Sequence, residues 1–157
     1  MLHVFHKISV NDQLAPGEPK LTRSQVWKGL LMKAENALPF VAAMSRCEVI
    51  ERGENWLLRE VDLPGETARE RITLYPEKTV VFSRLSGKAD GIIVNEILGE
   101  GENLELAFSF ALQLKDAQTG SAAELEMRQK MEGAYRQAVA STLAAIRKMV
   151  LEEVSRA

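Results

Sequence analysis

The sequence predicts an α+β fold: a curved, seven-stranded antiparallel sheet around one long C-terminal helix, with two short helices after the first strand. Three observations predict it. Residues 46–114 carry period-two alternation broken by short turn signals. Consecutive strands with such short links are antiparallel neighbours, because parallel pairs need long crossovers. After residue 120, one apolar stripe at three-four spacing runs for roughly 30 residues without a proline, which is roughly 45 Å of helix.

The elements follow in order. Val4, Ile8 and Val10 form one apolar face of a first strand, and His6 lies on that face. Pro16, Gly17 and Pro19 then break the chain. Thr22-Arg23-Ser24-Gln25 is a capping box: the Thr22 hydroxyl can accept from the Gln25 N–H, and the Gln25 side chain can return the bond. Val26, Trp27, Leu30, Leu31 and Ala34 continue at helical spacing until Pro39 ends the helix. Phe40 to Met44 supplies the second, shorter helical turn.

Six strands are expected at 46–52, 56–63, 67–75, 78–84, 91–98 and 103–114. Alternation is clearest in the last, where Leu104, Leu106, Phe108, Phe110, Leu112 and Leu114 share a face. Ser121-Ala122-Ala123-Glu124 is a second capping box, and it opens the long helix. Its stripe includes Met127, Met131, Ala134, Tyr135, Ala138, Val139, Leu143, Ile146 and Val150. The chain as a whole reads as one domain over 1–157.

Composition narrows the function. Hydrophobic residues at 46% and charged residues at 27% are those of an ordinary folded domain. A net charge of −2, with acids and bases interspersed, gives no nucleic-acid footprint. No apolar run approaches the ~20 residues of a membrane span, so no stable membrane insertion is expected. The N-terminal residues do not read as a secretory signal, and the lone Cys47 has no disulfide partner, so the cytoplasm is the expected location. His3 and His6 point to opposite faces of one strand, and no zinc set or other metal site is expected. Gly99-Glu100-Gly101 lies between strands and is a turn, not a dinucleotide fingerprint; no cofactor is expected. A homodimer is left open.

The stretch Leu21-Thr22-Arg23-Ser24-Gln25-Val26-Trp27-Lys28-Gly29-Leu30 carries a family likeness. It continues through Lys33-Ala34-Glu35-Asn36, Pro39-Phe40-Val41, Cys47 to Arg52, Arg59-Glu60-Val61 and Arg69 to Thr73. With the element order, these residues make the chain resemble the START-like, Bet v 1-like (SRPBCC) superfamily of helix-grip proteins, and within it the AtaL-like family. The resemblance implies a cavity between sheet and helix. Members of the superfamily hold lipids, sterols, polyketides or other apolar ligands there, and some branches are cyclases. No single motif in the likeness is catalytic.

Register supplies the first candidate site residues. If Pro64-Gly65 centres a tight turn, Leu63 pairs with Glu66, Val61 with Ala68 and Arg59 with Glu70. Arg59 and Glu70 then lie opposite each other on an otherwise apolar face, where a charge needs a partner. The functional reading is a polar anchor in a pocket; the structural reading is a cross-strand ion pair near the sheet rim. His6 and Asn95 are candidate polar contacts, each equally at home with an internal hydrogen bond. Tyr135 presents a hydroxyl toward the sheet. Met127 and Met131 suit an adaptable pocket wall or, as methionines more often do, fill a core, with Val139 on the same stripe. Trp27 and Phe40 cover one end of the pocket or simply bury the short helices, and Phe108 and Phe110 line the sheet face. Phe82 joins them if Tyr75 to Lys78 makes the longer of two turns; alternation does not decide it. Gly133, inside the long helix, marks a ligand entry or a close sheet approach. The expected partner is a small hydrophobic or amphipathic ligand such as a lipid, a polyketide-like molecule or an aromatic metabolite. The alternative is a cyclase or aromatase acting in the same cavity.

Overall fold

The computed structural model describes residues 1–156. Strands β1 (Leu2–Ser9), β2 (Arg46–Gly53), β3 (Trp56–Leu63), β4 (Glu66–Tyr75), β5 (Thr79–Arg84), β6 (Ala89–Leu98) and β7 (Glu105–Leu114) form one sheet. Helix α1 (Arg23–Glu35) follows β1, and helix α2 (Ala122–Arg156) closes the chain. Sheet order is β1-β7-β6-β5-β4-β3-β2, with every pair antiparallel. The last six strands are therefore a meander. The first strand returns beside the last, so β1 and β2 are opposite edges and α1 crosses the concave face between them.

Local chemistry accounts for the elements. Gln25 N–H donates to Thr22 Oγ1 at 3.2 Å and Thr22 N–H donates to Gln25 Oε1 at 2.9 Å, which completes the first capping box. At the start of α2 only half the box forms. Glu124 N–H donates to Ser121 Oγ at 3.2 Å, but the Glu124 carboxylate accepts from Gly120 N–H at 3.1 Å instead of from the cap residue. That bond is the main reason the Glu124 carboxyl lies below its ordinary range.

After α1 there is no second regular helix before β2. Phe40 and Val41 N–H both donate to Ala37 O at 2.9 Å, and Met44 N–H donates to Val41 O at 3.2 Å. These are isolated turns. Pro39 lacks an N–H and disfavours helical geometry at Leu38, so a continuous ladder cannot form.

The β3–β4 register has Leu63 opposite Glu66, Val61 opposite Ala68 and Arg59 opposite Glu70. The two-residue turn works because Gly65 adopts φ 75°, which an L side chain resists. β4 and β5 join through Pro76-Glu77-Lys78, with Tyr75 opposite Thr79 and Glu77 at φ 64°. This is the longer turn, and it puts Phe82 inside at 3% exposure.

The main core lies between the sheet and both helices. It gathers Val26, Trp27, Leu30, Leu57, Ile72, Phe82, Leu106, Phe108, Val139, Leu143 and Ile146, among others. Gly29 is where α1 and α2 touch: a Cβ there would lie 2.4 Å from Ile146 Cγ1. Helix α1 is also tied at both ends. Arg23 donates to the carbonyls of Glu77, Ile97 and Gly99, and Arg59 donates to those of Lys33 and Ala34. Helix α2, at 35 residues, is about 50 Å long and exceeds the sheet. Its far end projects, leaving Val154 66% exposed.

Candidate functional site

Strand alternation and one helical turn bring six polar side chains to the concave face. Arg59 on β3, Glu70 on β4 and Arg84 on β5 occupy neighbouring register positions, since Glu70 pairs with both others. Asn95 on β6 pairs with Val80 and with Phe108. Lys33 reaches in from the last turn of α1, and Tyr135 from α2.

Arg59 and Glu70 are each 3% exposed. Arg59 Nε donates to Glu70 Oε1 at 3.1 Å, and its Nη2 lies 3.0 Å from the same oxygen. Arg59 Nη1 donates to Lys33 O at 2.9 Å and Ala34 O at 3.0 Å. One guanidinium thus neutralises a buried carboxylate and caps the carbonyl end of α1, where a helix favours positive charge. The ion pair lies in the buried interior, not at the rim.

Lys33 Nζ donates to Asn95 Oδ1 at 2.8 Å and stands 4.3 Å from the Phe108 ring centroid. Burial lowers its pKa to about 7, and the nearby Arg59 charge lowers it further than the Glu70 charge raises it. Burial likewise holds the Tyr135 phenol above its ordinary range. Two buried donors of this group have no hydrogen-bond partner among the described residues: Asn95 Nδ2 and Arg84 Nε. The nearest carboxylate oxygens to Arg84 are at 3.6 Å (Glu70) and 3.7 Å (Glu66).

These groups line a hollow of about 190 Å³, whose apolar wall includes Val41, Met44, Leu63, Phe82, Ile93, Phe108, Ala134 and Ala138. A second hollow of about 410 Å³ lies beside it, walled by Ala89, Leu112, Leu114, Met127 and Met131. Leu63, Arg84, Ile93 and Tyr135 belong to both, so Tyr135 stands at the boundary. The Phe110 ring backs Tyr135, with centroids 4.3 Å apart. A larger cleft of about 470 Å³ sits elsewhere, between β1 and α2. Its lining includes Asp12, Gln13, Glu18 and Arg147; the buried Arg147 donates to Val10 O and leaves its Nε without a hydrogen-bond partner, 3.7 Å from Glu18, but no second buried polar group among the described residues joins it there.

Of the candidates read from sequence, Arg59, Glu70, Phe82, Asn95, Phe108 and Tyr135 meet in the smaller hollow. Met131 lines the larger. Trp27, Phe40 and Val139 lie in the packed core, outside both linings. His6 is half-buried on the edge strand opposite Phe108 and lines neither hollow. Gly133 is exposed, and a Cβ added there would meet nothing within 4 Å, so no close sheet approach requires it. Sequence reasoning misses Lys33 and Arg84. The available signal for Lys33 is its place three residues after Leu30 and seven after Val26, on the apolar stripe. Arg84 shares the strand face of Val80 and Phe82, but that face depends on the turn that alternation leaves undecided.

The chain resembles several known proteins. The family model described as "Acetylaranotin biosynthesis cluster protein L" matches residues 8–153. Among curated proteins, none matches by sequence. TTHA0849 from Thermus thermophilus superposes with a TM-score of 0.71 at 14% identity, over 92% of this chain and 96% of that one. The Zhui aromatase/cyclase from Streptomyces sp. R1128 gives 0.63 at 19%, over 98% and 93%. The di-domain aromatase/cyclase StfQ from the steffimycin biosynthetic pathway gives 0.69 at 14%, over 98% of this chain but 53% of that one. At such identities these structures speak for the fold alone. With the family match covering nearly the whole sequence, the chain belongs to the acetylaranotin biosynthesis cluster protein L family.

Proposed function

We propose that this protein binds a small, largely apolar molecule in the paired hollows between the sheet and α2. The observation that carries the reading is a cavity with apolar walls in which buried donors on Arg84 and Asn95 stay unpaired. Pockets of this kind draw affinity from apolar contact and orientation from a few placed polar groups. Burial contributes roughly 25 cal/mol per Å² of apolar surface. Native mass spectrometry of freshly purified protein, with uptake of a neutral apolar dye as a second readout, tests it. A co-purified small molecule or saturable dye uptake is the expected result. A folded protein that carries nothing and excludes the dye would overturn the reading.

A cyclase or aromatase acting in the same hollow is the second reading. Two of the similar structures are described as aromatase/cyclases. The Lys33 amine, with a pKa of about 7, is a group able to exchange protons at neutral pH. Turnover of a polyketide-like substrate, lost in Lys33→Met with binding retained, would favour it over binding alone.

A further inference from the structure

The polar lining of the smaller hollow is unbalanced in one direction. Arg59 is fully engaged, by Glu70 on one side and two helix carbonyls on the other. Glu70 is held between Arg59 and Arg84. Asn95 uses its oxygen on Lys33 and leaves its Nδ2 unpaired at 1% residue exposure. Arg84 leaves Nε unpaired. Both unpaired atoms are therefore donors, and buried unsatisfied donors are uncommon enough to need an explanation.

Charge points the same way. Two guanidiniums, Arg59 and Arg84, line this hollow against one carboxylate, Glu70, and Lys33 adds an amine whose partner is the Asn95 amide oxygen and not a carboxylate. Glu66 also faces Arg84, 3.7 Å from its Nη1, and accepts from the Lys88 N–H at 3.0 Å, so that with it two guanidiniums and the Lys33 amine stand against two carboxylates. The adjoining larger hollow offers mostly apolar surface from Leu112, Leu114, Met127 and Met131.

We infer that the ligand is an amphipathic acid, its oxyanion head accepting from one of the orphan donors, Asn95 Nδ2 beside Lys33 or Arg84 Nε, and its apolar body lying past Tyr135 in the larger hollow. This rests on the cavity reading above and names the class of molecule that fills it. An acceptor-only head pairs an orphan donor without bringing a proton of its own that needs a partner, and charge-assisted bonds of this kind are roughly twice as strong as neutral ones. A neutral alcohol can also accept, but it adds no charge beside Lys33, whose partner is an amide oxygen, or at Arg84 Nε, which neither Glu70 nor Glu66 approaches to hydrogen-bond distance.

Matched competitors test it on the whole chain. The neutral fluorophore N-phenyl-1-naphthylamine reports occupancy, and octanoate against octan-1-ol and 1-naphthoate against 1-naphthalenemethanol displace it at pH 7. Each acid is expected to act at about tenfold lower concentration than its alcohol, the ratio that one good charge-assisted contact supplies. Arg84→Met and Asn95→Leu are compared separately, with the acid-to-alcohol ratio taken within each variant so that any change in fluorophore affinity cancels, and in at least one of them the advantage falls below about threefold. Equal displacement by acid and alcohol, or an acid preference that survives both substitutions, would overturn the inference and leave the cavity reading standing. A folded parent that takes up neither fluorophore nor acid would overturn both.

Discussion

The Lys33 amine donates to Asn95 Oδ1 at 2.8 Å, so the last turn of α1 is bonded to β6 across the concave face. The bond joins two residues 62 positions apart, and the amine sits over an aromatic ring instead of beside a carboxylate. Burial, first, and Arg59, second, drive the ammonium toward its neutral form, with a pKa of about 7.

A pH dependence follows. In the unfolded chain a lysine holds its proton to about pH 10.4. Between about 7 and 10 the unfolded state therefore binds more protons than the folded state, and stability rises with pH across that window. Below about 7 both states are protonated and the cost of the buried charge is constant. Urea unfolding from about pH 6 to about 9.5 should show the parent gaining roughly 2 to 4 kcal/mol relative to Lys33→Met. Parallel pH profiles would mean that Lys33 is not desolvated.

The Arg59–Glu70 pair predicts a coupled response. Glu70→Gln leaves the guanidinium of Arg59 buried without its carboxylate, and breaking a buried pair on one side costs about 3 to 5 kcal/mol. Arg59→Met costs a similar amount and also frees the Lys33 and Ala34 carbonyls. The double variant Arg59→Met/Glu70→Leu should lose less than the sum of the two single losses, because neither member of the pair is then stranded, while the freed helix carbonyls and Arg84 keep the recovery partial. Denaturant midpoints for the parent and these variants are the measurement; strictly additive losses would count against a coupled pair.

Two helical glycines should respond with opposite signs. Gly133→Ala meets open space and should stabilise by about 0.5 to 1 kcal/mol through helix propensity. Gly29→Leu drives a side chain into Ile146, at the α1–α2 contact, and should destabilise by about 1 to 3 kcal/mol. Thermal unfolding of both, side by side, is the measurement. A destabilised Gly133→Ala would show that α2 packs differently there.

Those glycines also illustrate what the residues make readable. Gly29 and Gly133 both interrupt a helical pattern, and nothing local tells which one faces a neighbour. The β3–β4 register is legible, because a one-residue slip would bury Arg69 and Arg71. The face of Phe82 is not, because it depends on Glu77 taking a positive φ without being glycine. Lys33 stands on the apolar stripe in plain sight. Its burial is set by Asn95 and Phe108, which lie far along the chain, and no local pattern carries that. The spacing of Phe40 to Met44 suggests a second short helix, but Pro39 weighs more than spacing there.

Because Arg23 and Arg59 pin opposite ends of α1, that helix acts as the rigid jaw of a vice. On the binding reading proposed above, accommodation of guests of different size would fall to the yielding jaw, the 37–44 turns with Val41 and Met44 and the early turns of α2 with Met127 and Met131. Flexible thioether side chains on that jaw would let the protein close around more than one shape without disturbing the clamp opposite.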